Sequence, residues 1–290
     1  MKAILVPVDF SKSSDNAALY AANLAVELNA AIILASVLNI SVSPQSLNNW
    51  KHMADDLISE ANERAERLIS KIQKNVKGIL KISFEVIPGF PVWEQIEQFT
   101  IANKISLIVM GTRGASGLRG SLIGSNAAAV IDKSAVPVIA VPVNAKFRPI
   151  KKIMYASNMI NPHQEVRRVS IFARRLHAEI HVLHVGQETD IAASESSLRR
   201  ELIKVARYDN IHVHITNAEN IVAAVDSFAA KTQCDLLVMF THRLNFLEKL
   251  FGKSVTRHFA FHSELPLLTF NNTNEPFAIM QGWEFAFNFE

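Results

Sequence analysis

The stretch LIVMGTRGASGLRGSLIGSN, residues 107 to 126, joins a run of four apolar residues to a segment holding five of the chain's ten glycines. A short apolar run without polar gaps reads as a strand buried on both faces. The glycines that follow (Gly111, Gly114, Gly117, Gly120, Gly124) relax the backbone, and from Ser125 the pattern becomes helical. Strand, glycine-rich loop and helix start in that order let backbone N–H groups converge on an anion with the helix dipole behind them, and phosphate is the natural guest. The loop also leaves the carboxyl end of its strand, where open α/β sheets bind ligands. A loop that merely turns tightly, with nothing bound, is the alternative reading of the glycines alone.

Working outward, the same alternation recurs. ILVPV (4 to 8) precedes a helical pattern from Asn16 to Leu28, and AIILASV (31 to 37) precedes a long amphipathic segment from Leu47 to Asn75. In that segment Met53, Leu57, Ala61, Ala65, Leu68 and Ile72 recur at helical spacing. KISFEVI (81 to 87) follows, then a Pro88-Gly89-Pro91 turn, a helix over 92 to 104, the strand ISLIVM (105 to 110), the glycine stretch, a helix from about Ser125 and a last strand VPVIAV (136 to 141). Short strands alternating with helices predict a parallel sheet joined by crossovers, an α/β fold.

The order then repeats. KKIMYASNMI (151 to 160) answers KAILVPVDFS (2 to 11), IHVLHV (180 to 185) answers IILASV (32 to 37), LLVMFTHR (236 to 243) answers LIVMGTRG, and SELPLLTF (263 to 270) answers SAVPVIAV (134 to 141). A tandem duplication explains this most simply, with domains over 1–145 and 146–290 and a linker near Pro142 and Pro149. Residues 271 to 290 have no counterpart in the first half. Phe277, Trp283, Phe285, Phe287 and Phe289 make this tail too aromatic for a disordered segment, and suit it to an added edge strand or a partner contact.

Length and composition fit this picture: 290 residues suit two domains, and 49% hydrophobic with 20% charged residues is ordinary globular composition. A net charge of +3 without a basic cluster argues against nucleic acid as a partner. The one cysteine, Cys234, excludes an internal disulfide and fits a reducing, cytoplasmic setting. The N-terminus lacks a secretory signal pattern, and polar residues interrupt the uncharged stretch from Leu28 to Trp50, so no membrane span is expected.

The glycine spacing, Gly111, two residues, Gly114, nine residues, then Gly124-Ser125, is neither the dinucleotide fingerprint nor the Walker A loop. Together with VPVDFS (6 to 11), VMGTRG (109 to 114) and the closing SAVPVIAVP (134 to 142), it resembles the ATP-binding signature of the universal stress proteins, and the resemblance covers both halves. It implies in each domain an open five-stranded parallel sheet of order 3-2-1-4-5 with helices on both faces. The nucleotide, ATP with Mg²⁺ as a companion ion, would lie at the switch point between strands 1 and 4. Carried over by position, Pro7, Val8 and Asp9 meet the adenosine end, Val37 lies beside the base and Met110 touches the nucleoside. Gly111, Arg113, Gly114, Gly124 and Ser125 form the ribose and phosphate cradle, with Asn126 and Ala127 at the helix start. Many binders carry a hydroxyl where Ala127 stands, and Asn126 is the substitute donor here. Asp9 also has a plainer reading, as the cap of the following helix.

The resemblance further implies a stress-response or signalling role in which the nucleotide regulates conformation or binding of an unidentified protein partner, and homodimer formation through the edge strand VPVIAV. No residue has the setting of a catalytic nucleophile or base, so the chain reads as a binder and not an enzyme. A slow Mg²⁺-dependent ATPase and an interaction protein without nucleotide are the alternatives. The second half departs from the signature: Phe240 replaces Gly111, Arg243 replaces Gly114, Asn158 replaces Asp9, and of the glycines only Gly252 remains. Its side chains are expected to fill the space the cradle leaves open. FLEKLFGKS (246 to 254) ends like a Walker A loop but has Leu247 where the first glycine is required. Nine of ten histidines lie in this half, with His181 and His184 on one strand and His212 and His214 on the next, a spacing that admits a zinc site but lacks an evident acidic or cysteine ligand.

Overall fold

The computed structural model describes residues 3–39, 47–112, 124–186, 191–241 and 265–271. These divide into two compact units, Met1–Phe147 and Arg148–Glu290. The first extends two residues beyond the boundary drawn from sequence. Asn16 Nδ2 donates to the carbonyls of Pro142 (3.1 Å) and Ala145 (2.9 Å), and Phe147 packs edge-on against Tyr20 at 5.1 Å, so the segment after the last strand is held to its own domain.

The first unit runs β1 (Ala3–Pro7), α1 (Lys12–Leu28), β2 (Ala31–Leu38), α2 (Leu47–Asn75), β3 (Ile82–Pro88), α3 (Val92–Ala102), β4 (Leu107–Gly111), α4 (Ser125–Lys133) and β5 (Val138–Val141). Its strands pair in parallel in the order β3-β2-β1-β4-β5. Because β1 is central, the chain moves one way through β2 and β3 and then jumps back to β4. Right-handed crossovers therefore put α1 and α2 on one face and α3 and α4 on the other, and α1 packs with α2 and α3 with α4. The core is aliphatic: Ile4, Leu5, Leu34, Ile108 and Ile139 are fully buried.

Helix α1 begins four residues earlier than its apolar periodicity indicated. Ser11 Oγ accepts from the Ser14 N–H at 3.3 Å and caps the helix, so the polar turn Lys12–Asp15 is helical although it contributes no apolar stripe. At its far end Asn29 adopts the left-handed conformation, φ 50°, and closes the helix by N–H bonds to Ala25 and Val26. Strand β5 is shorter than VPVIAV because Val136 N–H turns to the Ser134 hydroxyl instead of a neighbouring strand.

The second unit repeats the plan: β6 (Lys152–Ser157), α5 (Pro162–Leu176), β7 (Glu179–Val185), α6 (Ile191–Ala206), β8 (Ile211–Thr216), α7 (Ile221–Thr232), β9 (Leu236–Thr241) and β10 (Leu267–Asn271). Its strand order, β10-β9-β6-β7-β8, is the same 3-2-1-4-5 arrangement. The aromatic tail beyond Asn271 lies outside the described residues. No helix among the described residues is long and apolar enough to cross a membrane.

Candidate functional site

In the first unit the carboxyl ends of β1, β2 and β4 and the facing parts of α3 and α4 enclose a cleft of about 210 Å³. It lies where the strand order reverses, at the β1/β4 junction, because neighbouring loops there leave in opposite directions and open a crevice. Pro7 ends β1, and Val8 is fixed by its N–H bond to the Ala35 carbonyl at 2.8 Å. Val37 stands on β2, and Met110 and Gly111 end β4. Gly124, Ser125, Asn126 and Ala127 form the start of α4. With Asp9, these are ten of the twelve residues singled out from sequence, and all ten line this cleft. The other two, Arg113 and Gly114, lie outside the described residues, as do Arg119, Arg243 and Gly252-Lys253-Ser254.

Four lining residues were not anticipated: Ser14, Ala35, Val92 and Ile96. Each had a signal in the sequence. Strand alternation puts Ala35 on the face of Val37, Val92 and Ile96 are four apart at the start of the helix after Pro91, and Ser14 follows Asp9 by five residues, in the first turn of α1.

The two ends of the glycine-rich segment meet at the mouth of the cleft. Gly124 N–H donates to the Thr112 carbonyl at 2.6 Å, and Thr112 N–H is itself held by Val141 at 3.1 Å. Helix α4 therefore begins beside the end of β4. Among the described residues no side chain caps it, and its first turn holds no acidic residue. Helix α1 is capped by Ser11 and α7 by Asn220, whose Oδ1 accepts from Val222 and Ala223, both at 3.1 Å. An uncapped N-terminus presents unsatisfied N–H groups and roughly half a positive charge, and a bound anion there gains about 0.3–2 kcal/mol depending on burial.

Gly111 serves close approach and not a positive φ. A Cβ there would stand 2.5 Å from Ser13 Oγ and 2.8 Å from the Ser13 backbone, so the first turn of α1 rests directly on the end of β4. Asp9 does not cap α1. Its Oδ1 accepts from the Ser11 N–H at 3.0 Å in a tight turn across Phe10, whose φ is 57°. The carboxylate is exposed at the cleft and fixes the turn that presents the capping Ser11.

The second unit keeps that turn and changes what surrounds it. Asn158 Oδ1 accepts from Ile160 N–H at 3.0 Å across Met159, φ 58°. Phe240, however, does not fill a ligand cleft as expected from sequence. A side chain at the position of Gly111 points to the α1 side of its sheet, so in the second unit it enters the core beneath α5. There Phe240 stacks on Phe270 at 4.9 Å and meets Tyr155 edge-on at 5.6 Å. The buried Tyr155 hydroxyl donates to the buried Glu165 carboxylate of α5 and lies 2.9 Å from Ser157 Oγ. Burial and the adjacent carboxylate push the Tyr155 phenol upward, so it is a fixed donor and not a titrating group. On the cleft side the change is at Leu183: the alignment of β7 with β2 puts it in the place of Ala35, and it is buried.

Of the four strand histidines that admit a zinc site by spacing, His181, His212 and His214 are brought together, while His184 Nδ1 lies 3.1 Å from the Ser157 carbonyl. His181 and His212 stack at 4.9 Å, and His181 Nδ1 lies 3.2 Å from His214 Nε2, which directs those nitrogens at each other. Among the described residues no group of three or more His, Cys, Asp or Glu side chains is so arranged that it could hold a metal ion.

The sequence matches the universal stress protein family over residues 1–142 and again over 149–271. The chain belongs to the universal stress protein family. Its two matched segments coincide with the two units, making it a tandem universal stress protein. It is 34% identical over 142 residues to a universal stress protein of Methanocaldococcus jannaschii, an alignment spanning 48% of this chain and 81% of that one. Among solved structures, a universal stress protein from Archaeoglobus fulgidus aligns over 94% of this chain and 97% of its own, with a TM-score of 0.61 at 19% identity. One from Pseudomonas aeruginosa aligns over 99% and 98%, with a TM-score of 0.52 at 15% identity. At those identities the structural likenesses speak for the fold, which this universal stress protein carries in both units.

Proposed function

We propose that the first unit binds ATP in the cleft at the carboxyl ends of β1, β2 and β4, and that the second unit does not bind it in this mode. The observation that carries the reading is the uncapped start of α4, brought against the end of β4 by the Gly124–Thr112 bond inside a cleft whose inner walls are apolar. Ala35, Val37, Val92, Ile96 and Met110 offer the apolar surface that a planar base requires, and the N–H groups of Ser125, Asn126 and Ala127 offer the donors that phosphate requires. Side-chain oxygens of Ser125 and Asn126, at the helix start that would face the phosphates, are the groups at hand for a magnesium ion travelling with the nucleotide. In the second unit Leu183 replaces Ala35, and of the cradle's glycines only Gly252, the counterpart of Gly124, remains.

Occupancy, and not turnover, is the output. Asp9 is the one carboxylate lining the cleft among the described residues, and its Oδ1 is engaged by the Ser11 N–H. A carboxylate bound in a backbone turn at the nucleoside end is poorly placed to activate water at the terminal phosphate. The nucleotide thus acts on conformation and on association, with a second copy of this chain or another protein, in a cytoplasmic stress response. Native mass spectrometry of freshly purified protein, with a phosphate-release assay, tests this: the expected result is added mass of ATP without sustained phosphate release. Phosphate release well above background would replace the binder by an ATPase, and absence of any ATP adduct on titration would remove the nucleotide altogether.

A further inference from the structure

Three imidazoles of the second unit share one patch of sheet. On β7 and β8 the parallel register pairs His181 with His212 and Leu183 with His214, so His181, His212 and His214 project from the same face. Helix α7 lies on this face and covers the patch with Phe228, whose ring is 4.8 Å from His214 and 6.4 Å from His181. The register of the first unit sets Ile33, Ser83 and Glu85 at the corresponding positions, and Ser83 and Glu85 are exposed there. The cluster is therefore peculiar to the second unit.

Its geometry depends on charge state. The 3.2 Å contact between His181 Nδ1 and His214 Nε2 needs one nitrogen to donate and the other to accept, so at least one ring must be neutral. His212 stacks on His181 with ring planes 20° apart, which brings a third ring within reach of any charge on the other two. The charged neighbours only partly offset this. Glu179 Oε2 lies 3.3 Å from His181 Nε2 and favours a proton there, and Glu195 of α6 acts in the same direction on His214. Lys152 of β6 opposes protonation of His181, and Lys231 of α7 opposes it at His214.

We propose that His181 and His214, stacked beside His212, form an acid-sensitive latch, which holds α7 on β7 and β8 while those two rings are neutral and loosens it when they take up protons. Burial is the largest influence on both His181 and His214 and moves each below its ordinary value of 6.5. The sign follows. An imidazole whose affinity for protons is lower in the folded than in the unfolded state stabilises nothing extra above pH 6.5, where both states are neutral. Below pH 6.5 the opened state binds protons that the closed state refuses, so opening is favoured progressively until the folded rings themselves titrate. Each proton taken up on opening shifts the opening equilibrium by up to about tenfold per pH unit.

Hydrogen exchange on the intact chain between pH 7.5 and 5, corrected for intrinsic exchange rates, reads this directly. Protection of residues 211–216 and 221–232 is expected to fall by about tenfold per pH unit for each coupled proton below pH 6.5, while β1, β2 and β4 of the first unit keep theirs. In the double variant His181→Gln, His214→Gln the neutral amides carry no proton to gain, and that acid-dependent loss should disappear. Equal protection at both pH values in the wild type, or an undiminished acid response in the variant, would overturn the proposal. NMR titration of the wild-type imidazoles guards against a variant that does not fold: titration of both His181 and His214 at or above 6.5 would also overturn it.

Discussion

The two units share strand order, an Asx turn at the end of the first strand and a left-handed residue inside that turn, yet they spend the corresponding interior positions differently. In the first, Gly111 has no side chain, Ser13 of α1 sits against its backbone, and Ala35 leaves the opposite face open to a cleft. In the second, Phe240 fills the α5 side, joined to Tyr155, Phe270 and the Glu165 carboxylate, while Leu183 occupies the place of Ala35. One substitution rebuilds a core and the other removes floor space from a site. Replacing a glycine that lines the cleft therefore need not fill the cleft itself, because the added side chain leaves on the other face of the sheet.

The comparison is broken most severely from the second side. Phe240→Ala removes a buried ring from between Tyr155 and Phe270, and is expected to destabilise the second unit by about 3–5 kcal/mol in chemical denaturation, without creating ATP binding. Its converse on the cleft side is Ala35→Leu, which imports the residue of the second unit. ATP affinity by calorimetry should fall at least about a hundredfold, equivalent to roughly 2.7 kcal/mol, because the larger side chain takes space from the cleft floor. Gly111→Ala sharpens the packing half of the contrast. The new Cβ meets Ser13 backbone, which cannot swing aside, so a loss of about 2 kcal/mol is expected in urea denaturation of the first unit. Smallest is the cap: Ser11→Ala should cost about 1 kcal/mol, whereas Asn161→Ala, at a helix start whose side chain makes no capping bond, should be close to neutral.

Much of this was legible in the sequence because local and global signals agreed. Short, mostly apolar runs at ILVPV, ISLIVM and IHVLHV, alternating with helical patterns, read as strands of a parallel sheet, and the repeat of that pattern announced two domains. The cleft was legible wherever a residue type was unusual for its place, as with Gly111 and Gly124 at a strand end and a helix start. Ala35, Val92 and Ile96 were missed because apolar residues on a strand and a helix look alike whether they face a core or a cleft, and only the strand-order reversal tells them apart. The part of Phe240 was misread for a related reason. Sequence aligns it with Gly111, while the direction of its side chain is read from its register with Phe270 and its ring contact with Tyr155. The start of α1 at Lys12 was hidden because a capped polar turn carries no hydrophobic period.

If the two homologous units differ as proposed, with one ATP site in the first and none in the second, the stoichiometry of ATP binding to the intact chain reads the difference. Calorimetric titration with Mg²⁺ present is predicted to give one site per chain, eliminated by Ala35→Leu in the first unit. Two sites per chain, or one site that survives Ala35→Leu undiminished, would contradict the account.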